Sequence, residues 1–230
     1  MVKSKKEIDI NRPLHILGFA SVIFNVLLEL ADDAFGFRSF CVLENVNRVS
    51  DVYFVSLDRY NVEFKNFNKQ KHNINPHDYF AFGVVGTKSK ELVYRYFKEK
   101  IGMTDANFLN LIHPTAVVSN SVVQSNGIQV GSHTSVSSLS HIGFGVNIKN
   151  NCYIGHHGKI GDFVTINPGV TISGLVEIGN NTIIGAGAII RDKVKIGSNC
   201  TIGMGSNVVT DIPDDSIAFG NPCKVHGENT

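Results

Sequence analysis

Residues 154–203 read IGHHGKIGDFVTINPGVTISGLVEIGNNTIIGAGAIIRDKVKIGSNCTIG, and a branched aliphatic residue occupies every sixth position of this stretch. The pattern extends beyond it on both sides without a miss. A helix repeats about every 3.6 residues and an ordinary strand about every 2, so a period of six fits neither element. Fourteen consecutive positions share it: Val130, Val136, Ile142, Ile148, Ile154, Ile160, Ile166, Ile172, Ile178, Ile184, Ile190, Ile196, Ile202 and Val208.

A six-residue unit suits one short strand followed by a turn, and three such units close a triangular coil of eighteen residues. Val and Ile suit the interior because they are stiff at χ1 and fill a pleated, buried surface. The sequence therefore predicts a parallel β-helix of hexapeptide repeats, in which residues eighteen apart lie above one another. Weaker repeats that begin at Ala116, Val122 and Ile128 predict a two-residue shift of register before Val130.

The segment before the repeats has the pattern of a small α/β domain. LHILG (14–18) and RSFCVL (38–43) are predicted strands that flank a helix with Ser21 as its N-cap, and such a βαβ unit favours a parallel sheet. We therefore predict a Rossmann-like domain over residues 1–112 and a β-helix over residues 113–230. The remaining predicted elements are strands at 52–56, 79–86 and 108–112 and a helix at 87–101.

The composition excludes several classes of protein. The formal net charge is +1 and no basic block occurs, which argues against a nucleic-acid-binding protein. No apolar run is long enough to span a bilayer, and the polar opening MVKSKKEIDINRP does not resemble a signal peptide. The four cysteines lie far apart without a CxxC motif, which predicts reduced thiols in a cytoplasmic protein and neither disulfides nor a metal site.

Three features together carry a resemblance. They are the α/β domain followed by LIHPTA (111–116), the hexapeptides, and GNPCK (220–224) near the end. This arrangement resembles the nucleotide-sugar acetyltransferases of the left-handed β-helix superfamily, which act in bacterial surface-glycan or O-antigen synthesis. The group includes bacillosamine-type aminosugar N-acetyltransferases and sialic acid O-acetyltransferases. The resemblance implies a homotrimer, acetyl-CoA as co-substrate in the cleft between neighbouring prisms, and a nucleotide sugar held by the first domain.

The resemblance places the catalytic histidine of this family at His156. A histidine can accept the proton that an amine or hydroxyl loses when it attacks a thioester. His157 stands where many relatives carry an acidic residue that orients the catalytic ring, and Asp162 is a more distant candidate for that role. Stacking by eighteen places His156 beside Gly174, where we expect an open space for the thioester and an N–H that faces the acyl oxygen.

The resemblance also suggests residues that bind the two substrates. Thr165 stands where relatives use a histidine to touch acetyl-CoA, and main-chain amides of later turns hold the pantetheine arm. The predicted acetyl-CoA-binding residues are Thr165, Gly174, Gly185, Ala186, Gly203, Met204, Gly205 and Lys224. The glycine-rich turn of relatives is only partly kept, because Gly18 remains and the later glycines are absent. The predicted nucleotide-sugar-binding residues are Gly18, Ala20, Ser21, Glu44, Asn45, Gly86 and Lys88.

Several functions remain open at this point. The leading prediction is N-acetylation of a nucleotide-linked (UDP, dTDP or GDP) amino-deoxysugar, and O-acetylation of a sugar such as sialic acid would need the same general base. A γ-type carbonic anhydrase needs three histidines on zinc, but the stacking columns of His133 and His141 hold Asn151 and Lys159. A non-catalytic scaffold that binds a nucleotide sugar is the remaining alternative.

Overall fold

The computed structural model describes residues 8–18, 24–45, 58–69 and 72–229. An α/β domain precedes a long β-helix. The elements of the first part are β1 (Leu14–Leu17), α1 (Phe24–Phe35), β2 (Ser39–Glu44), β3 (Asn61–Asn66), β4 (Phe80–Phe82), α2 (Thr87–Ile101) and a 3-10 helix (Asp105–Asn107).

The strands of the second part are short. They are β5 (Leu111–Ile112), β6 (Val117–Val118), β7 (Val123–Gln124), β8 (Gln129–Val130), β9 (Ser135–Val136), β10 (His141–Ile142), β11 (Asn147–Ile148), β12 (Tyr153–Ile154), β13 (Lys159–Ile160), β14 (Thr165–Ile166), β15 (Thr171–Ile172), β16 (Glu177–Ile178), β17 (Ile183–Ile184), β18 (Ile189–Ile190), β19 (Lys195–Ile196), β20 (Thr201–Ile202), β21 (Asn207–Val208), β22 (Ser216–Gly220) and β23 (Cys223–Glu228).

The first domain contains a four-stranded sheet in the order β3-β2-β1-β4, with every pair parallel. The predicted strands β1 and β2 and the helix α2 are confirmed. Strand β3 was missed because its sequence NVEFKN is largely polar, and β4 is shorter than predicted. The strand predicted at 52–56 and the predicted N-cap at Ser21 lie outside the described residues.

The β-helix confirms the period of six. Its strands form three parallel sheets, and each pairing joins residues eighteen apart, such as Ile154 with Ile172 and Ile166 with Ile184. All fourteen aliphatic residues of the pattern are at most 4% exposed. The column four residues further on also faces the interior, since Val164, Val170 and Val176 are fully buried. Branched aliphatic stacking therefore forms one continuous core along the prism.

The predicted shift of register before Val130 is wrong. Ile112 pairs with Val130, Val118 with Val136, and Gln124 with Ile142, so the same eighteen-residue spacing extends back to β5. Ala116, Val122 and Ile128 instead occupy the second interior position, four residues after each member of the main column. The polar Gln124 concealed the continuity. Strand β5, predicted as the last strand of the first domain, thus pairs with the solenoid.

Aromatic packing joins the two domains. Phe82, Tyr94 and Phe108 of the first domain contact Phe144 and Phe163 of the prism, with ring centroids 5.0 to 6.0 Å apart across the junction. Each such pair contributes about 0.5–1.5 kcal/mol beyond the burial of its apolar area. The carboxyl edge of the parallel sheet is therefore held against one face of the prism.

The C-terminal residues complete the prism as a hairpin. Strand β22 continues the sheet of β20 in parallel, and β23 folds back on it in antiparallel. Of the helices that the structure describes, none has the length and apolar character needed to cross a membrane.

Two edges of the prism carry the residues predicted to act in catalysis and to bind acetyl-CoA. The histidine edge consists of Ser138, His156, Gly174 and Asp192, which follow strands β9, β12, β15 and β18. The glycine edge consists of residues 167–169, 185–187 and 203–205, which follow strands β14, β17 and β20.

Candidate active site

The two adjacent histidines form a hydrogen-bonded pair on the histidine edge. Both are exposed and lie in the turn that follows β12. Nδ1 of His156 is 3.0 Å from Nδ1 of His157, and the two rings are perpendicular. His157 adopts a left-handed φ of 56°, which turns its ring back toward its neighbour.

This contact restricts a neutral pair to two proton arrangements. One of the two Nδ1 atoms must donate and the other must accept, because a neutral imidazole has one donor and one acceptor nitrogen. When His156 donates from Nδ1, its Nε2 is the free acceptor, and His157 carries its own proton on Nε2. The pair can therefore present an unprotonated Nε2 of His156 to a ligand.

Gly174 lies directly against this nitrogen. A Cβ atom added to Gly174 would sit 2.6 Å from Nε2 and 2.7 Å from Cε1 of His156. The space that we expected to be open beside the glycine is thus partly filled by the imidazole itself. Among the residues that the structure describes, none accepts a hydrogen bond from the Gly174 N–H, while its carbonyl accepts one from Lys193. The glycine therefore permits close approach of the ring and leaves one amide donor beside it.

Asp162 does not reach the histidine pair. Its Oδ1 accepts a hydrogen bond of 2.7 Å from the N–H of Phe144, in the turns between β10 and β11 and between β13 and β14. That edge of the prism faces α2 and is not the histidine edge. The partner of His156 is consequently His157, and the candidacy of Asp162 is corrected.

The glycine edge exposes backbone at Gly187 and Gly205, where an added Cβ would meet nothing within 4 Å. Side chains are excluded at Gly185, where a Cβ would lie 2.5 Å from the nitrogen of Met204, and Gly205 donates its N–H to the carbonyl of Ala186 at 2.9 Å. Met204 is 81% exposed. Within one protomer the structure brings Gly185, Ala186, Gly203, Met204 and Gly205 together, but it places His156 on a different edge.

Thr165 lies at the junction of the two domains. It is 4% exposed, and its hydroxyl donates to the carbonyl of Val85 at 2.9 Å. The same oxygen accepts a hydrogen bond of 3.2 Å from Nζ of Lys90. The prediction that Thr165 contacts acetyl-CoA receives no support from this placement.

Lys90 was missed by the sequence analysis. It is 1% exposed, and Nζ also donates to the carbonyls of Gly145 at 2.8 Å and Val164 at 3.3 Å. Burial, and to a smaller extent the charge of Lys149, lowers the pKa of Lys90 to about 7. Lys90 lies three residues after Thr87 and seven before Phe97, and both of these are buried. This helical spacing was the signal in the sequence that Lys90 faces the inside.

The described residues among those predicted to bind the nucleotide sugar lie at the carboxyl edge of the sheet. Gly18 ends β1 with a φ of 75°, and Glu44 is buried at the end of β2. Asn45 accepts a hydrogen bond from the side chain of Asn68 through its carbonyl. Gly86 precedes α2, and Lys88 is exposed in its first turn. Ala20 and Ser21 lie outside the described residues.

A third glycine at this edge, Gly83, was missed by the sequence analysis. A Cβ atom on Gly83 would lie 2.3 Å from the carbonyl oxygen of Gly18, so only glycine fits this crossing. Gly83 donates its N–H to Leu17 at 2.9 Å and thereby ends the pairing of β1 with β4.

The described ranges contain no cluster of three His, Cys, Asp or Glu side chains arranged to hold a metal ion. His141 pairs with Lys159 in the neighbouring coil, as the eighteen-residue spacing predicts.

Lys224 lies exposed on β23. All four cysteines are unpaired and buried, and burial raises the pKa of the Cys41 thiol to about 11.

Comparison with known proteins identifies the repeat. Residues 176–209 match the family model "Bacterial transferase hexapeptide (six repeats)". The prism is a left-handed hexapeptide-repeat β-helix. A search of the curated proteins gives no match for this sequence.

Solved structures resemble the chain over almost its full length. A His-to-Asn variant of perosamine N-acetyltransferase from Caulobacter crescentus, in complex with CoA and GDP-perosamine, is 22% identical with a TM-score of 0.78, covering 94% of this chain and 98% of that one. The acetyltransferase domain of PglB from Neisseria gonorrhoeae, in complex with acetyl coenzyme A, is 25% identical with a TM-score of 0.77 and coverages of 94% and 100%. WeeI from Acinetobacter baumannii is 22% identical, with a TM-score of 0.78 and the same coverages as PglB. The two-domain architecture is therefore shared with these proteins.

Proposed function

We propose that this protein transfers an acetyl group from acetyl-CoA to the amino group of a nucleotide-linked amino-deoxysugar. The observation that carries the proposal is the His156–His157 pair, which leaves Nε2 of His156 free against the backbone of Gly174. The likeness to perosamine N-acetyltransferase and to the PglB acetyltransferase domain, both in complex with CoA or acetyl-CoA, supports the choice of donor and acceptor.

In the proposed reaction the sugar amine attacks the thioester carbonyl while Nε2 of His156 accepts a proton from the attacking nitrogen. The carbon–sulfur bond then breaks, and the proton on His156 passes to the departing CoA thiolate. The neutral His157 accepts from Nδ1–H of His156 throughout, so the ring keeps its orientation when it becomes cationic. The Gly174 N–H is the candidate donor to the oxyanion that develops on the carbonyl oxygen.

The burial of the four cysteines also agrees with direct transfer of the acetyl group. Each of the four cysteines is buried, and burial raises the pKa values of Cys152 and Cys200. A buried thiol is a poor nucleophile because the thiolate is the reactive form. We therefore infer that no acetyl-enzyme intermediate forms on cysteine.

The proposed acetyl-CoA site lies between two protomers. His156 and the glycine edge occupy different edges of one prism, so a groove lined by both arises when the histidine edge of one copy faces the glycine edge of another. A ring closed by such heterologous contacts gives a cyclic oligomer, and we propose a homotrimer. Leu139, Leu175 and Ile189, between 42% and 49% exposed, lie on or beside the histidine edge and supply apolar area for this contact.

The nucleotide sugar is proposed to bind at the carboxyl edge of the parallel sheet, the usual ligand site of an open α/β sheet. Gly18, Ala20, Ser21, Glu44, Asn45, Gly86 and Lys88 are the residues we assign to it. We propose a cytoplasmic enzyme of surface-glycan synthesis, since activated sugars are substrates of that process.

The test is an acetyl-transfer assay with acetyl-CoA and a panel of UDP-, dTDP- and GDP-linked amino-deoxysugars, with sialic acid as the hydroxyl acceptor. We expect acetylation of one aminosugar, and the variant His156→Ala should lose about 10²–10⁴-fold in kcat because it lacks the general base. His113→Ala, a histidine of the domain junction, is the matched control. If the protein acetylates only sialic acid, the acceptor group is a hydroxyl and not an amine. If it binds a nucleotide sugar but transfers no acetyl group, it is a non-catalytic scaffold.

A further inference from the structure

The segment that connects β4 to α2 is hydrogen-bonded to the prism at both of its ends. The carbonyl of Phe82, where β4 ends, accepts a hydrogen bond of 2.7 Å from Nε2 of Gln129. The carbonyl of Val85 accepts one of 2.9 Å from the hydroxyl of Thr165. The intervening residues 83–86 are called the β4–α2 loop below. Its backbone position is therefore set by side chains of the other domain.

The two donors belong to one column of the prism. Gln129, Asn147 and Thr165 pair in register at intervals of eighteen residues. Each precedes an inward-facing aliphatic residue and so points outward, yet none of the three is more than 7% exposed. On another face of the prism, Lys159 and Lys195 occupy the same position of the repeat and are exposed. Burial of an amide or hydroxyl costs free energy unless it is hydrogen-bonded, and the loop carbonyls supply the partners.

Neighbouring side chains orient both donors. Nδ2 of Asn147 donates to Oε1 of Gln129 at 2.7 Å, which leaves the amide nitrogen of Gln129 for the loop. Nζ of Lys90 lies 3.2 Å from the hydroxyl oxygen of Thr165. A lysine ammonium can only donate, so this oxygen accepts from Lys90 and its own hydrogen is free for the loop. The hydrogen bonds to the loop are thus held by a buried network.

The other side of the β4–α2 loop packs against the carboxyl edge of the sheet. The N–H of Gly83 donates to the carbonyl of Leu17 at 2.9 Å. A Cβ atom on Gly18 would lie 2.7 Å from Cγ1 of Val84, so the loop directly contacts the end of β1. The loop ends at Gly86, at the start of α2. It therefore lies between the polar column of the prism and the residues assigned to the nucleotide sugar.

We propose that Gln129 and Thr165 are positioning residues for the nucleotide sugar. They hold the β4–α2 loop in the conformation that binds this substrate, and neither side chain contacts it. The inference rests on the proposed function for the identity and the place of the ligand. Without one of the two hydrogen bonds the loop occupies that conformation for a smaller fraction of the time, and the apparent affinity falls by the same factor. In this assignment Thr165 acts on the nucleotide sugar and not on acetyl-CoA.

The first experiment removes the hydroxyl of Thr165 and keeps its shape. We expect Thr165→Val to raise KM for the nucleotide sugar about five- to tenfold, the effect of one lost hydrogen bond. Because the bound sugar restores the loop, kcat and KM for acetyl-CoA should stay unchanged. Thr165→Ser, which keeps the hydroxyl, should restore KM for the sugar.

Thr134→Val is the matched control for this substitution. The Thr134 hydroxyl is also buried and donates to the carbonyl of Lys149 at 2.7 Å, inside the prism. This variant should lower the melting temperature about as much as Thr165→Val and leave KM for the nucleotide sugar unchanged. A role of Thr165 in stability alone would give the same kinetics in both variants.

The second experiment removes the other donor and does not depend on the folding of Thr165→Val. Gln129→Met has no amide to donate to Phe82, and we expect the same rise of KM for the nucleotide sugar at unchanged kcat. An unchanged KM for the sugar in both Gln129→Met and Thr165→Val would overturn the inference. So would a rise confined to KM for acetyl-CoA.

Calorimetric titration with UDP-, dTDP- and GDP-linked amino-deoxysugars separates this inference from the proposed function. If wild type binds one of them more tightly than Thr165→Val but acetylates none, the inference stands and the proposed function fails. If wild type acetylates one and both variants bind it as tightly as wild type, the inference fails and the proposed function stands. If wild type binds none of them, both fail.

Discussion

Nδ1 of His156 lies 3.0 Å from Nδ1 of His157, and this contact occurs in a turn where His157 holds a φ of 56°. A carboxylate at this position would keep its ability to accept a hydrogen bond at any pH near neutral. A histidine loses that ability when it gains a proton, since both of its nitrogens then donate. The orientation of His156 thus depends on an acceptor atom of its neighbour.

Replacing His157 tests this dependence. His157→Ala removes the acceptor, and we expect kcat to fall about five- to tenfold, the effect of one lost hydrogen bond, with KM for acetyl-CoA unchanged. His157→Asn keeps an acceptor oxygen and tolerates the left-handed backbone, so its kcat should stay within about twofold. The measurement is steady-state kinetics of both variants. Equal losses in the two variants would contradict a role for the acceptor atom.

The approach of Gly174 to the ring gives a second prediction. In Gly174→Ala the new methyl group would lie 2.6 Å from Nε2 of His156, so the imidazole must move. A displacement of about 1 Å costs on the order of 100-fold in rate when a catalytic group is misplaced. The melting temperature and kcat should both be compared with those of Gly227→Ala, where a Cβ meets nothing within 4 Å. If Gly174→Ala keeps full activity, the imidazole of His156 does not occupy this position during turnover.

The aromatic contacts between the two domains predict that Phe144 contributes to the stability of the fold. Phe144 is 7% exposed and contacts Phe82, Tyr94 and Phe108 across the domain boundary. Phe144→Ala should lower the free energy of unfolding by about 3–5 kcal/mol, since it leaves a cavity between two rigid layers. Leu92→Ala, at a residue of α2 that is 67% exposed, should change it by less than about 1 kcal/mol. Chemical denaturation of both variants measures the difference.

Lys90 predicts how stability depends on pH. Burial lowers its pKa to about 7 in the folded protein, against about 10.4 in an unfolded chain. Between these two values the unfolded state binds more protons than the folded state, so the free energy of unfolding rises with pH. Below pH 7 Lys90 is protonated in both states, so it no longer makes the free energy of unfolding change with pH. Denaturation from pH 6 to pH 9 should show the rise in wild type and a smaller rise in Lys90→Met. The same slope in both would locate the titration elsewhere, for example at Lys149, whose pKa burial also lowers.

The sequence predicted the β-helix because a six-residue period leaves few alternative structures. Ile154 and its equivalents face the core in every coil, so each repeat confirms the next. Gln124 broke the visible pattern without breaking the structure, because its strand still pairs in register with Ile142, eighteen residues further on. The α/β domain was less predictable, and β3 was missed since polar residues such as Glu63 and Lys65 occupy an edge strand.

The site was predictable in its parts but not in its assembly. His156 could be singled out from its hexapeptide and Gly174 from the eighteen-residue spacing. The orientation of His157 could not, because it depends on a single backbone φ angle. Nor could the buried contact between Lys90 and Thr165, which joins residues of the two domains that are 75 positions apart in the chain. Interactions of that kind are set by packing between elements and leave little periodic signal.

The separation of His156 from the glycine edge gives the last prediction. His156→Ala lacks the general base, and Ala186→Trp obstructs the glycine edge, so each should be inactive alone. If each site combines the histidine edge of one copy with the glycine edge of the next, mixed oligomers contain intact sites. Random assembly of equal amounts then restores about a quarter of the wild-type sites. A site within one protomer would restore none, because every chain carries one lesion. Co-expression of the two variants, followed by acetyl-transfer assays on the mixed oligomer, distinguishes these outcomes.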